Sequence, residues 1–262
     1  MHTFLERIVA ARVRAVAEID VSDTCPARSW PTGPPPDPVA AIRGAGGFVI
    51  AEIKRASPSC GVLATEVDVA ERARTYAAGG AGVISVLTEP DFFRGSRGDL
   101  RAAVAASDVP VLAKDFVVAT RQLDWALADG AGWVLLIAAV LNQRLDEFVG
   151  RALALGLEPL VEVHDEADFD RALETRARVI GINARDLATF EVDLARVERL
   201  APRVPDDRAC IAESGIHGEA DVRRVRDAGA HGVLVGESLM LAADPAAAVR
   251  ALRAAFASGM AK

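Results

Sequence analysis

The sequence predicts a (β/α)8 barrel, a TIM barrel, with an N-terminal helical extension, and three observations carry that reading. From Phe48 onward, short apolar segments alternate with helical ones, and eight have strand length: 48–54, 82–88, 110–116, 132–138, 158–163, 179–185, 209–214 and 232–237. Several lack period-2 alternation (GWVLLIA, CIA, GVLV), as expected of parallel strands buried on both faces. The helical segments between them end in glycine, a common residue just past a helix. An open doubly wound sheet is the alternative, but no GxGxxG follows the first strand, and a count of eight selects the barrel. No boundary divides it, so residues 1–262 read as one domain: extension and connector over 1–47, barrel over 48–256.

Residues 3–20 form the first expected element, an amphipathic helix with Leu5, Ile8, Val9, Val13 and Val16 on one face. PTGPPPDP (31–38) can be neither helix interior nor central strand and serves as a stiff connector. Within the barrel, ERARTYAAGG stops at Gly79–Gly80, RQLDWALADG at Gly130 and ADVRRVRDAG at Gly229. Asp68, Thr120, Asp165, Asp193 and His217 fall near helix starts, where polar caps are expected. The last helix, PAAAVRALRAAF, opens with Pro245 and aligns Val249, Leu252 and Phe256 on one stripe.

Composition narrows the function classes. Hydrophobic residues make up 51% and aromatics only 5%, so Ala, Val and Leu build the core. A net charge of −7 argues against nucleic acid or an anionic membrane as the partner. An anionic metabolite would need positive charge concentrated locally. Cys25, Cys60 and Cys210 have neither disulfide-framework nor zinc-site spacing, which fits a reduced, cytoplasmic compartment. The first 20 residues are interrupted by charge and contain no secretory apolar core, and no run is long enough to span a bilayer.

Lysine is nearly absent: of 30 basic residues only Lys54, Lys114 and Lys262 are Lys. The two internal ones end apolar runs, FVIAEIK and PVLAK. Ammonium carries exchangeable protons, whereas guanidinium is a poor acid, so both positions point to proton chemistry. Barrel enzymes place reactive groups at the C-terminal ends of strands. There the sequence sets Glu52 and Lys54, Lys114, Glu162, Asn183 and Arg185, and Glu213 with Ser214. Three carboxylates, two lysines and an arginine on one rim exceed what stability requires, because buried ionisable groups are costly unless paired. SGI (214–216) after the seventh strand and VGES (235–238) after the eighth suit a phosphate, with Ser57 and Gly61 completing a cradle. The histidines (His2, His164, His217, His231) lack ligand spacing, and His164 reads as a loop or helix-start residue.

AEIKRASPSCG (51–61), VLTEPDFFRGS (86–96), PVLAKDF (110–116), LVEVHDE (160–166), GINARDLATFEVDL (181–194), AESGI (212–216) and GVLVGESLM (232–240) together resemble the indole-3-glycerol phosphate synthases, over essentially the whole chain. The resemblance implies a ring-closing carboxy-lyase of tryptophan biosynthesis. It would convert 1-(2-carboxyphenylamino)-1-deoxyribulose 5-phosphate to indole-3-glycerol phosphate, CO2 and water, with no metal or other cofactor. Lys114 would be the general acid on the ribulose carbonyl and Glu162 the carboxylate that handles proton removal. Lys54 and Glu52 would bind the substrate carboxylate and serve the dehydration. Asn183 and Arg185 would orient the substrate, and Glu213 would position the lysine side. Ser57, Ser214, Gly215, Gly236 and the backbone of Glu237 fall at phosphate positions, and Phe93, Phe116, Leu135, Leu187 and Leu234 around the anthranilate ring. A second lysine nearby would bring the Lys114 pKa toward working pH.

Three departures bear on affinity rather than on reaction class: Cys60 in the first loop, Ala184 in place of a second Asn, and Ala113 before Lys114. Competing readings are the same reaction in a secondary-metabolite pathway, a non-catalytic paralogue that binds phosphorylated ligands, and a phosphate-binding isomerase of the phosphoribosylanthranilate type. The isomerase chemistry pairs Cys with Asp at strand ends, but Cys210 begins its strand. With its apolar surface covered by the extra helix, the expected protein is a monomer.

Overall fold

The computed structural model describes residues 3–18, 37–44, 46–57, 61–62, 67–187 and 189–258. Cys25, Cys60, Lys262, most of the Pro-rich connector and the Ser57 side chain lie outside them.

Eight parallel strands close on themselves: β1 (Phe48–Ile53), β2 (Val83–Leu87), β3 (Val111–Lys114), β4 (Trp133–Ile137), β5 (Glu158–Val163), β6 (Val179–Asn183), β7 (Ala209–Glu213) and β8 (Gly232–Val235). β8 returns to pair with β1, so no edge is left exposed. Apart from β5, the strands are shorter than the apolar runs suggest. Lys54, Phe116, Arg185 and Ser214 lie past the last paired residues, where the chain turns away from the ladder.

The expected lack of alternation in hydrophobicity conceals an alternation in direction. In β1, Phe48 and Ile50 belong to the core inside the barrel, whereas Val49, Ala51 and Ile53 belong to the layer between strands and helices. The same parity separates Leu112 from Val111 and Ala113, and Ile211 from Cys210 and Ala212. Continuing each inward series by one step reaches Glu52, Lys114, Glu162, Asn183 and Glu213. Strand periodicity therefore delivers those polar groups to the top layer of the barrel interior.

Helix α1 (Phe4–Glu18) is present but faces the barrel differently from the sequence reading. Its buried residues are Ile8, Arg12 and Val16, four apart, and Val13 is 51% exposed. Burying Arg12 is possible because Asp115 meets it with two hydrogen bonds, from Nε to Oδ1 at 2.8 Å and from Nη2 to Oδ2 at 2.5 Å. Asp115 also accepts from the Thr88 hydroxyl at 2.9 Å and the Phe116 amide at 2.8 Å, so the loops after β2 and β3 share the anchor.

Asp68 and Asp165 cap their helices as expected, each accepting an amide three residues on. Thr120 makes no side-chain cap bond; the Gln122 side chain accepts the Val118 and Ala119 amides instead. Asp193 precedes the cap residue Leu194, and His217 precedes the cap residue Gly218. Asp221 reaches back to accept from the His217 and Gly218 amides. The final helix (Pro245–Ala257) buries Val249, Leu252 and Phe256.

Candidate active site at the top of the barrel

The inward-facing polar groups meet in a cleft of about 1090 Å³, including its open mouth. At its floor, Lys114 Nζ lies between two carboxylates, 3.1 Å from Glu162 Oε2 and 3.2 Å from Glu213 Oε2. On the β1 side, Lys54 Nζ is 3.1 Å from Glu52 Oε1. Asn183 donates from Nδ2 to Glu162 Oε1 at 3.1 Å and accepts the Arg185 amide on Oδ1 at 3.0 Å. One asparagine thus orients the β5 carboxylate and shapes the turn that carries Arg185. Arg185 is held further by a hydrogen bond from Nη1 to the Phe190 carbonyl at 3.2 Å.

The electrostatics differ from the sequence expectation. Burial alone would lower the Lys114 pKa, but the charges of Glu162, Glu213 and Glu52 outweigh it and raise the value above the ordinary lysine range. No second lysine brings it down. For Glu162, burial works upward, yet Lys114, His164 and Asn183 hold it well below the usual carboxylate range. Burial pushes Glu213 up; Lys114 offsets part of that and ionised Glu162 adds to it, leaving it at about 8. The two carboxylates facing one ammonium are thus pushed in opposite directions, Glu162 down and Glu213 up.

Two glycines are required by this packing. A Cβ on Gly181 would stand 2.0 Å from Glu213 Oε1, and one on Gly236 would stand 2.5 Å from Glu52 Oε1 and 3.1 Å from Lys54 Nζ. The sequence places Gly236 at the phosphate end alone. It does not single out Gly181, because a glycine within a strand has no distinctive local signal.

Every site residue expected from sequence lines this cleft except Gly61 and Ser57, and nothing is described of the Ser57 side chain. Ser57 and Gly61 sit in a short antiparallel hairpin, Ala56–Ser57 with Gly61–Val62. Ser214 and Gly215 have positive φ, and the Ser238 hydroxyl ties the neighbouring loops by donating to the Ile216 carbonyl at 3.2 Å. The apolar wall contains Phe93 and Phe116, with ring centroids 6.0 Å apart. Glu89 sets the Phe93 loop by accepting the amides of Asp91, Phe92 and Phe93.

Two contributions escape the sequence reading. Helix α1 roofs the cleft with Phe4, Leu5 and Ile8, and Phe4 packs edge-on against Phe92 at 5.3 Å and Phe190 at 4.9 Å, bridging the loops after β2 and β6. An amphipathic pattern shows that a helix has a buried face but not what lies beneath it. His164 is expected to be a loop or helix-start residue, yet its Nε2 lies 3.0 Å from Glu162 Oε1. Cys210 is fully buried, and burial pushes its thiol up to about 12, so it is no nucleophile.

The model of the indole-3-glycerol phosphate synthase family matches residues 6–252. The chain is 52% identical to indole-3-glycerol phosphate synthase 1 of Streptomyces coelicolor, over 85% of this chain and 83% of that one. It is 50% identical to the indole-3-glycerol phosphate synthase of Mycolicibacterium vanbaalenii, over 92% and 88%. Among solved structures, thiamine phosphate pyrophosphorylase from Pyrococcus furiosus superposes with a TM-score of 0.62 at 19% identity, covering 83% of this chain and 98% of that one. A 3-hexulose-6-phosphate synthase superposes equally, with a TM-score of 0.62 at 22% identity over 79% and 99%. Those two likenesses show the barrel alone.

Proposed function

The chain belongs to the indole-3-glycerol phosphate synthase family, and on that footing we propose how its rim closes the indole ring. The reaction converts 1-(2-carboxyphenylamino)-1-deoxyribulose 5-phosphate to indole-3-glycerol phosphate with loss of CO2 and water, as a carboxy-lyase of tryptophan biosynthesis. The observation that carries the assignment of roles is the placement of Lys114 Nζ between Glu162 and Glu213 at the floor of the cleft.

Attack of the ring carbon on the ketone builds negative charge on the carbonyl oxygen. Lys114 meets that oxygen as a cation and transfers a proton to it. Its raised pKa keeps it fully charged, and an alkoxide is basic enough to take a proton from any ammonium. CO2 then leaves from the carbon that carried it, its bonding electrons returning to the ring system. Lys54, paired with Glu52, holds the departing carboxylate and then protonates the hydroxyl that leaves as water. Glu162, kept anionic, removes the proton whose loss completes the indole. Glu213 positions Lys114, and Asn183 and Arg185 orient the substrate. The glycine-bearing turns after β7 and β8, with Ser214, Gly215, Gly236 and the Glu237 backbone, receive the phosphate together with Ser57. Phe93, Phe116, Leu135, Leu187 and Leu234 enclose the anthranilate ring.

The chain acts as a single domain and a monomer in the cytoplasm. Among the described residues, the large exposed apolar side chains Val13, Val192 and Leu241 lie on separate elements, which supports a monomer. The test of the reaction is product identification. Purified protein and substrate should yield indole-3-glycerol phosphate and CO2 in equal amounts; substrate bound without CO2 release would refute catalysis.

A further inference from the structure

His164 follows β5 and does not line the cleft, yet it touches the carboxylate assigned to proton removal. Its Nε2 lies 3.0 Å from Glu162 Oε1, and its Nδ1 lies 3.7 Å from Asp168 Oδ2 on helix Glu166–Leu173. Asp168 is itself buried. It accepts from Arg171 Nη1 at 2.8 Å and from the His164 amide at 3.3 Å. A ring wedged between two buried carboxylates is costly unless it carries the positive charge that both of them face.

The two oxygens of Glu162 have different surroundings. Oε1 accepts from Asn183 Nδ2 and lies 3.0 Å from His164 Nε2 in an ion-pair contact without hydrogen-bond geometry, whereas Oε2 faces Lys114 Nζ. When Lys114 moves its hydrogen bond to the ketone oxygen, Oε2 is the edge released toward the substrate. We propose that His164 is a positioning residue for the reaction, its ring charge holding the Oε1 edge of Glu162 so that Oε2 is the edge that accepts the substrate proton. This rests on the reading of Glu162 as the proton acceptor. His164 acts through Glu162 and meets no substrate atom.

The charges support the same arrangement. Burial would lower the His164 pKa, but Asp168 and Glu162 raise it to about 9, so the ring is cationic at neutral pH. That cation is one of the groups that keep Glu162 ionised, with Lys114 from β3 and Asn183 from β6, against burial. Glu213 from β7 also faces Glu162 and Lys114.

The test compares wild type, His164→Ala, His164→Gln and Glu162→Gln by steady-state kinetics from pH 3 to 9, with thermal unfolding of each. In His164→Ala, kcat should fall on the order of tenfold with KM within about twofold, and the acid limb of kcat should move up by about one pH unit. His164→Gln keeps a polar side chain of similar reach without the charge, so kcat should stay low and the acid limb displaced. Unchanged kcat and an unmoved acid limb in both variants, with Glu162→Gln inactive, would overturn the inference and leave the Glu162 reading intact. A loss of both kcat and melting temperature in the two variants with the acid limb in place would overturn it as well, since that pattern belongs to a structural role. Active Glu162→Gln would instead remove the premise.

Discussion

Lys114 Nζ and Glu162 Oε2 stand 3.1 Å apart across the barrel mouth, from strands that do not pair with each other. The contact exists because each residue is the last inward-facing position before its strand ends, so the barrel's curvature aims both at one point. In the proposed mechanism, the acid and the base of successive steps thus neutralise one another until a substrate separates them.

The Gly181 backbone is the bed on which Glu213 lies. Gly181→Ala places a methyl group where Glu213 Oε1 now sits, displacing a carboxylate that holds Lys114. The barrel should still fold, and kcat should fall about tenfold or more, as misplaced catalytic groups do. Circular dichroism beside steady-state kinetics checks this; wild-type kcat in the variant would contradict the packing argument.

The buried pair of Arg12 and Asp115 fastens α1 over the cleft. Arg12→Ala leaves Asp115 without its cation and should cost about 3 kcal/mol in urea unfolding, in line with breaking other buried pairs. Because Phe4, Leu5 and Ile8 roof the site from the same helix, KM should rise as well. Loss of stability with unchanged KM would show that the roof does not depend on this anchor.

His231 supplies a stability prediction at the opposite end of the barrel. Its Nδ1 accepts the Cys210 amide at 3.0 Å, which requires an unprotonated nitrogen. Burial first, and then the Arg43 charge, lower its pKa to about 4 from the ordinary 6.5. The folded state therefore binds fewer protons than the unfolded state between those values. The contribution is complete above pH 6.5 and is lost as pH falls toward 4. His231→Asn retains an acceptor without a titrating ring, so its melting temperature should fall less between pH 7 and 4.5. Equal losses in both proteins would assign the acid sensitivity elsewhere.

Most of the barrel was legible because strand-length apolar runs ending in polar residues are a local pattern. The inward direction of Glu52, Lys114, Glu162 and Glu213 follows from strand parity once the barrel is accepted. What escaped depends on neighbours remote in sequence. Val13 looks as apolar as Val16, and only the partnership of Arg12 with Asp115, 103 residues away, rotates the helix to bury an arginine instead. Lys54 suggested itself as the neighbour that sets the Lys114 pKa, yet the groups that set it are carboxylates from three other strands. His164 could have been found from VEVHD: with Glu162 pointing inward, a histidine turning back from the strand end can reach the carboxylate behind it.

The most direct measurement is the rise of indole fluorescence on mixing substrate with wild type, Lys114→Ala and Lys114→Arg under identical conditions. Loss of a positioned general acid should reduce turnover by about 10²–10⁴-fold. Both variants should fall that far, the arginine variant included, because the larger planar guanidinium cannot put a single proton where the compact Lys114 ammonium sits between Glu162 and Glu213. Turnover near wild type in Lys114→Ala would contradict the assignment of Lys114. Retention in Lys114→Arg alone would reduce its role to fixed charge.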